Sequence, residues 1–175
     1  IAQDSIVMNL DDVACVGAVD NMIISSTIGR NKNKIPGEII SQIISGTDEI
    51  LSYYRNHGIN ISSGGGETAD VGDLVRTIIV DSCLTVRIKK DEIINNENIK
   101  NGNVIVGLSS SGTSSYNSEY NSGIGSNGLT SARHDILSNY LKKLYPESYE
   151  SNVPENLTYC GSKKLTDKYG DFDLN

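Results

Sequence analysis

The stretch Ser62–Asp73, SSGGGETADVGD, concentrates residue types that handle phosphates and metal ions. Gly64, Gly65 and Gly66 lack Cβ atoms, so the backbone there can take positive φ, approach a ligand closely and aim successive N–H groups at an anion. Glu67, Asp70 and Asp73 repel a phosphate but can hold a cation that binds one, and Thr68 adds a hydroxyl. The same string also suits a hinge or a surface turn. No Gly-Lys-Ser/Thr follows it, which separates it from a P-loop.

Two further places carry similar chemistry. Asp11 and Asp12 are adjacent carboxylates, which repel each other unless distance or a cation relieves them, and Mg²⁺ prefers such hard oxygen ligands. Two solvated helix acids are the plain alternative. In the second half, Ser111 and Gly112 of SSSG, with Ser126, Asn127 and Gly128 of GSNGLTSAR, fall where a strand ends and a helix begins. Free N–H groups at a helix start, with Arg133 one turn in, suit a phosphate, and ordinary capping by Ser126 or Asn127 suits the same pattern. His57 reads as a polar cap at a helix end and His134 as a helix-surface residue. No G-x-S-x-G elbow is present, so a hydrolase triad has no support.

The elements that must position these residues follow from periodicity. Ile6, Val7, Leu10, Val13 and Ala14 recur at helical spacing, with Asp4 or Ser5 as the cap and Gly17 as the stop. NMIISSTIG is a β-branched strand, and Pro36-Gly37 opens a longer helix. Its buried face carries Ile39, Ile40, Ile43, Ile44, Ile50, Leu51 and Tyr54, with Gly58 ending it. INIS is a short strand running into the glycine loop, and VRTIIVDSCLTVRI is a second, alternating strand. A charged, Asn-rich connection leads to an apolar strand at Val104–Leu108. A helix from Leu129 to about Tyr145 ends at Pro146, and LTYCGS offers one more short strand.

This alternation makes the chain α/β (α+β). The expected division falls in the Asn-rich connection, between residues 1–98 and residues 99–175, the latter the beginning of a C-terminal α/β domain. Both ends stop without a natural boundary, which leads to the expectation of a segment of a larger protein. The net charge of −7 argues against broad contact with nucleic acid. The three cysteines form no C-x-x-C pair, a pattern that fits a reducing cytosol. No apolar run approaches the ~20 residues that span a bilayer.

Taken together, VMNLDDVACVGA, GGETAD, IKNGNVIVGLSSSG and SNGLTSARHDIL resemble, in order and spacing, the phosphoribosylformylglycinamidine cyclo-ligase family. This family is also called aminoimidazole ribonucleotide synthetase, of purine biosynthesis. The resemblance runs from about Ile1 to Leu137. It implies a two-domain synthetase-like fold and a cytoplasmic homodimer whose N-terminal domains pair strands into a barrel. It further implies a cleft that takes ATP, Mg²⁺ and a ribonucleotide. Phosphorylation of the formyl-derived oxygen would precede attack by the amidine-side nitrogen and closure of the imidazole ring. Carried over residue by residue, Asp12 is the metal candidate, with Asp11 beside it where the family has Asn. Gly65, Gly66, Glu67 and Thr68 would line the nucleotide and metal cleft, with Asp12 and Glu67 catalytic. Ser111, Gly112, Ser126, Asn127 and Gly128 would form the second domain's ligand loops.

The chain departs from the family pattern at GGETADVGD, which lacks the family's proline, and at the insertion TSSYNSEYNSGIG. These departures leave open a sister kinase or dikinase of the same superfamily, or a non-catalytic dimeric nucleotide-binding module.

Overall fold

A computed structural model of the chain describes residues 1–115, 119–121, 123, 125, 127–169 and 172–173. It divides into two compact units, Ile1–Asn101 and Gly102–Asn175.

The first unit is a three-stranded mixed sheet with two helices on one face. Helix α1 spans Ala2–Cys15, β1 Met22–Arg30, α2 Gly37–Asn56, β2 Ile61–Asp70 and β3 Ile78–Thr85. The strand order is β2-β1-β3; β1 pairs parallel with β2 and antiparallel with β3. The parallel pair is joined through α2, the crossover that parallel strands require. Val16 caps α1, and Gly17 follows it with φ +81. Asp4 and Ser5 lie inside the first turn of α1 rather than at its cap. Ile1 is the N-cap, and Ser5 Oγ donates back to the Ala2 carbonyl.

Alternation decides which face of each strand is buried. Met22, Ile24 and Ile28 of β1 turn inward, while Ile23, Ser25 and Thr27 turn out. Ile6 from α1, Leu51 from α2, Met22, Ile24 and Ile61 form one core cluster, flanked by Leu10, Val13 and Leu84. Ile28, Ile40 and Ile43 form a second. The buried face of α2 is narrower than its sequence spacing suggests: Ile39 and Ile44 stay exposed, because the sheet beneath has only three strands to cover a wide apolar stripe. The opposite face of the sheet carries no element of this unit and exposes Ile23 and Ile79.

The glycine stretch is a strand rather than a loop. Ile61–Asp70 pairs with β1 along its length, with one irregularity: Ile24 faces Ser63, whereas Ser26 faces Gly66. This is a β-bulge, in which β2 holds an extra residue against β1. Gly65 takes φ +85 at the bulge. A Cβ on Gly66 would overlap the Ser26 carbonyl oxygen, and one on Gly64 would press on the Ile23 side chain at 3.0 Å. The glycines are therefore required by packing within the sheet.

In the second unit the expected long helix is two short ones, α3 over Leu129–Ile136 and α4 over Tyr140–Leu144. The break falls where Leu137 and Ser138 leave the helical path and bridge to Lys163 and Gly161. Val104–Leu108 forms no strand and is highly exposed, since no described segment offers it a ladder partner. LTYCGS likewise forms no strand. Glu155–Leu157 is a turn of 3-10 helix, and Thr158 and Tyr159 beyond it are buried. Two-residue strands at Lys168–Tyr169 and Phe172–Asp173 complete the unit.

We expect Gly66→Ala to lose roughly 2–3 kcal/mol, as for overpacking in a closed site. Gly65→Ala, which has open space but a left-handed backbone, should lose about 1–2 kcal/mol. Urea unfolding of the two variants checks the order.

Candidate functional site

The first unit brings Gly65, Gly66, Glu67 and Thr68 to one small cavity of about 180 Å³ between α2 and β2. Ser26 and Ile28 of β1, Ile44, Thr47 and Asp48 of α2, and Ser63 complete its lining. Register explains the arrangement. Gly66 and Thr68 pair with Ser26 and Ile28, on the helix side of the sheet. Glu67 pairs with Thr27, which in turn pairs with Asp81, so this row belongs to the open face. Because β2 is an edge strand, Glu67 also reaches the cavity rim, and its Oε1 accepts from the Thr68 N–H at 3.2 Å.

An anion nest does not form. Gly65 is the one residue of the motif with positive φ, and its N–H donates to Ser63 Oγ at 3.2 Å. Asp70 is committed as well. It accepts from the Lys32 N–H at 3.2 Å and pairs with Lys32 Nζ at 3.2 Å, fastening the end of β2 to the loop after β1. The Lys32 backbone N–H first, then the Lys32 side chain, hold the Asp70 carboxyl below its ordinary 3.8.

Asp11 and Asp12 lie elsewhere, both exposed on α1. Asp11 borders a different, apolar cavity of about 260 Å³ with Leu10, Val19, Met22, Tyr54 and Ile59. Asp12 lines neither cavity. Among the described residues, no three His, Cys, Asp or Glu side chains gather as a metal cage, so Asp11, Asp12 and Glu67 do not assemble into one ligand set.

In the second unit, Gly112 and Asn121 exchange both backbone hydrogen bonds, at 2.9 and 2.7 Å, and close the base of the insertion. Ser111 N–H donates to Ser109 Oγ. Gly128, with φ +82, is the N-cap of α3 and makes no side-chain cap bond, and Asn127 precedes it in the turn. Ser126 lies outside the described residues. His134 is buried rather than on the surface: its Nδ1 accepts from the Tyr159 N–H at 3.3 Å, and the two rings lie 4.7 Å apart. Burial lowers the His134 pKa below the ordinary 6.5; the Arg133 charge adds to this and Asp135 opposes it. His57 does cap its helix end, through Nδ1 and the Tyr53 carbonyl at 2.9 Å.

Sequence reasoning missed Ser26, Thr47 and Asp48 as cavity residues. Thr47-Asp48 follows Gly46 in an amphipathic helix and carries no motif. Ser26, a polar residue on the inward side of an apolar strand, was the available signal.

Over residues 1–86 the chain belongs to the family described as AIR synthase related protein, N-terminal domain. Its relatives narrow this further. The chain is 37% identical over 131 residues to the phosphoribosylformylglycinamidine cyclo-ligase of Methanocaldococcus jannaschii, covering 74% of this chain and 32% of that protein. The enzyme of that name from Methanococcus vannielii is 33% identical over 161 residues, covering 89% and 37%. That from Pyrococcus horikoshii is 31% identical over 140 residues, covering 80% and 36%. The chain thus spans about a third of the length of these relatives. Among the described residues no helix is long and apolar enough to cross a membrane.

Because the folded state disfavours charged His134, stability is unaffected by this group above its ordinary 6.5 and falls as pH drops below it, where the unfolded chain takes the proton first. Proton NMR should show His134 titrating below 6.5. Melting at pH 7.5 and 5.5 should show a loss that His134→Gln removes.

Proposed function

We propose that the chain works in ATP-dependent closure of an imidazole ring, the cyclo-ligase reaction that converts formylglycinamidine ribonucleotide to aminoimidazole ribonucleotide. The observation that carries this reading is the reach of the alignments. Relatives named as cyclo-ligases align over 131 to 161 residues, well past the 86 matched by the N-terminal domain family.

The reaction divides into two steps that balance. The formyl oxygen of the substrate takes the γ-phosphoryl group of ATP, releasing ADP. The amidine-side nitrogen then attacks the activated carbon and gives up its proton, forming the ring C–N bond as the C–O bond breaks and inorganic phosphate leaves. Both steps depend on alignment of reacting atoms, and holding them in place supplies much of the rate. Gly65, Gly66, Glu67 and Thr68, around one cavity, are the binding residues of this reading in the first unit. Ser111, Gly112, Ser126, Asn127 and Gly128 are those of the second.

Mg²⁺ enters as the counterion of ATP. Because Asp11, Asp12 and Glu67 do not form a common ligand set, no step is assigned to a protein-held cation. Asp12 and Glu67 act separately in this reading. A second copy of the chain covers the open face of the sheet, where Ile23 and Ile79 are about half exposed. Residues 1–98 serve ATP binding and this pairing, and 99–175 begin the second ligand-binding domain.

The test is calorimetric titration of the protein with Mg-ATP, followed by an assay for aminoimidazole ribonucleotide from formylglycinamidine ribonucleotide. ATP binding without ring closure, with ADP formed on another acceptor, would favour the sister kinase reading instead. Asp12→Asn and Glu67→Gln should each lower turnover, by roughly tenfold or more for loss of a charged contact. Since they share no cavity, their effects should multiply in the double variant. Ultracentrifugation should give a dimer that Ile23→Lys with Ile79→Lys dissociates.

A further inference from the structure

The chain holds two Asn-Gly pairs, Asn101-Gly102 and Asn127-Gly128. In this dipeptide the backbone nitrogen readily attacks the preceding side-chain amide, because glycine puts no Cβ in the way. The two pairs sit in different settings. Asn101 ends the first compact unit and Gly102 begins the second, so the bond between them is the boundary itself. Both residues are exposed in a turn, and Gly102 takes φ +97 with open space where a Cβ would stand. Among the described residues, neither the Asn101 side chain nor the Gly102 N–H has a hydrogen-bond partner. The flanks add no restraint: Ile99 is 72% exposed and Val104 83%.

Gly128, by contrast, is the N-cap of α3, and its carbonyl accepts from the Ser131 and Ala132 N–H groups, both at 3.1 Å. Those bonds hold the glycine that would have to turn for its nitrogen to reach the Asn127 side chain. At Asn101 no hydrogen bond has to break before the ring can close. At Asn127 the first turn of a helix has to open.

We propose that Asn101 is a site of spontaneous covalent modification, a succinimide-forming asparagine that turns the boundary between the two units into aspartate and isoaspartate. The Gly102 nitrogen gives up its proton and attacks Asn101 Cγ. The N–Cγ bond forms, the Cγ–Nδ2 bond breaks, and ammonia leaves with the proton. Water then adds to either imide carbonyl and reopens the ring, so water is consumed and ammonia released with no oxidation or reduction. Opening on one side restores the ordinary peptide as aspartate. Opening on the other routes the main chain through Cγ and lengthens it by a carbon. Either product places a new carboxylate just ahead of the exposed apolar run Val104–Leu108. The chemistry needs no ligand and no turnover, and stands apart from the ring closure proposed above.

The test is incubation of the intact chain at neutral and mildly alkaline pH, in buffer and in urea, with the modified position read by tandem mass spectrometry. In buffer Asn101 should gain the mass of an amide-to-acid change, with isoaspartate as the main isomer, at a rate that rises with hydroxide concentration. It should convert as fast in the folded chain as in urea, while Asn127 should convert in urea and be several-fold slower in buffer. Hydroxylamine, which cleaves succinimides, should cut the folded chain into fragments 1–101 and 102–175. Asn101→Gln keeps a neutral amide but needs a larger, less favoured ring, and should abolish both the mass gain and the cut at this position. An Asn101 that stays intact while Asn127 converts, protection of Asn101 in buffer relative to urea, or cleavage after residue 127 in place of 101 would each overturn the inference.

Discussion

The backbones of β1 and β2 approach so closely at Ser26 and Gly66 that residue 66 has no room for a Cβ. Much of the first unit follows from this contact. The extra residue on β2 is absorbed as a bulge with Gly65 in the left-handed region, where a larger side chain would be strained. Past the bulge the register is fixed again, so Glu67 joins Thr27 and Asp81 on the open face while Thr68 returns to the helix side. A slip of one residue would exchange these faces.

The same stretch of β1 supplies the polar seam that docks α1. Ser26 hydrogen-bonds Ser82, and Ser82 hydrogen-bonds Ser5, within an interface otherwise made of Ile6, Leu10, Val13 and Leu84. Polar groups in such an interface are costly unless satisfied, and here each hydroxyl has a partner. The seam gives the apolar contact a direction that hydrophobic burial alone does not. In the second unit, backbone and ring contacts do comparable work. The His134 carbonyl accepts from Cys160 N–H at 2.8 Å, while its ring takes the Tyr159 N–H and packs on Tyr159.

These constraints recast the glycine motif. Its glycines serve strand pairing first, and the cavity beside them is lined by the hydroxyls of Ser26, Thr47, Ser63 and Thr68. The two acidic features that look alike in sequence sit in different settings: Asp11 and Asp12 on a helix, Glu67 on an edge strand. Asp70, the nearest acid along the strand, is held by Lys32.

The sequence by itself determined the local elements of the first unit. β-Branched residues marked a strand at 21–29, observed as Met22–Arg30, and period-2 alternation marked one within 75–88, observed as Ile78–Thr85; helical spacing marked α1 and α2, and the ordered motifs identified the family to which residues 1–86 belong. These signals are local, so neighbouring residues carry them in full. Whether SSGGGETAD was loop or strand, whether Leu129–Tyr145 stayed one helix, and whether His134 was buried were decided by tertiary structure. Each depends on a partner distant along the chain: β1 for the glycines, Gly161 and Lys163 for the helix break, and Tyr159 for the histidine. The Ser26–Ser82–Ser5 hydrogen-bond chain was set in the same way. A serine's proton goes to whichever acceptor the fold brings within reach, and no spacing rule names Ser82 as the neighbour of Ser26.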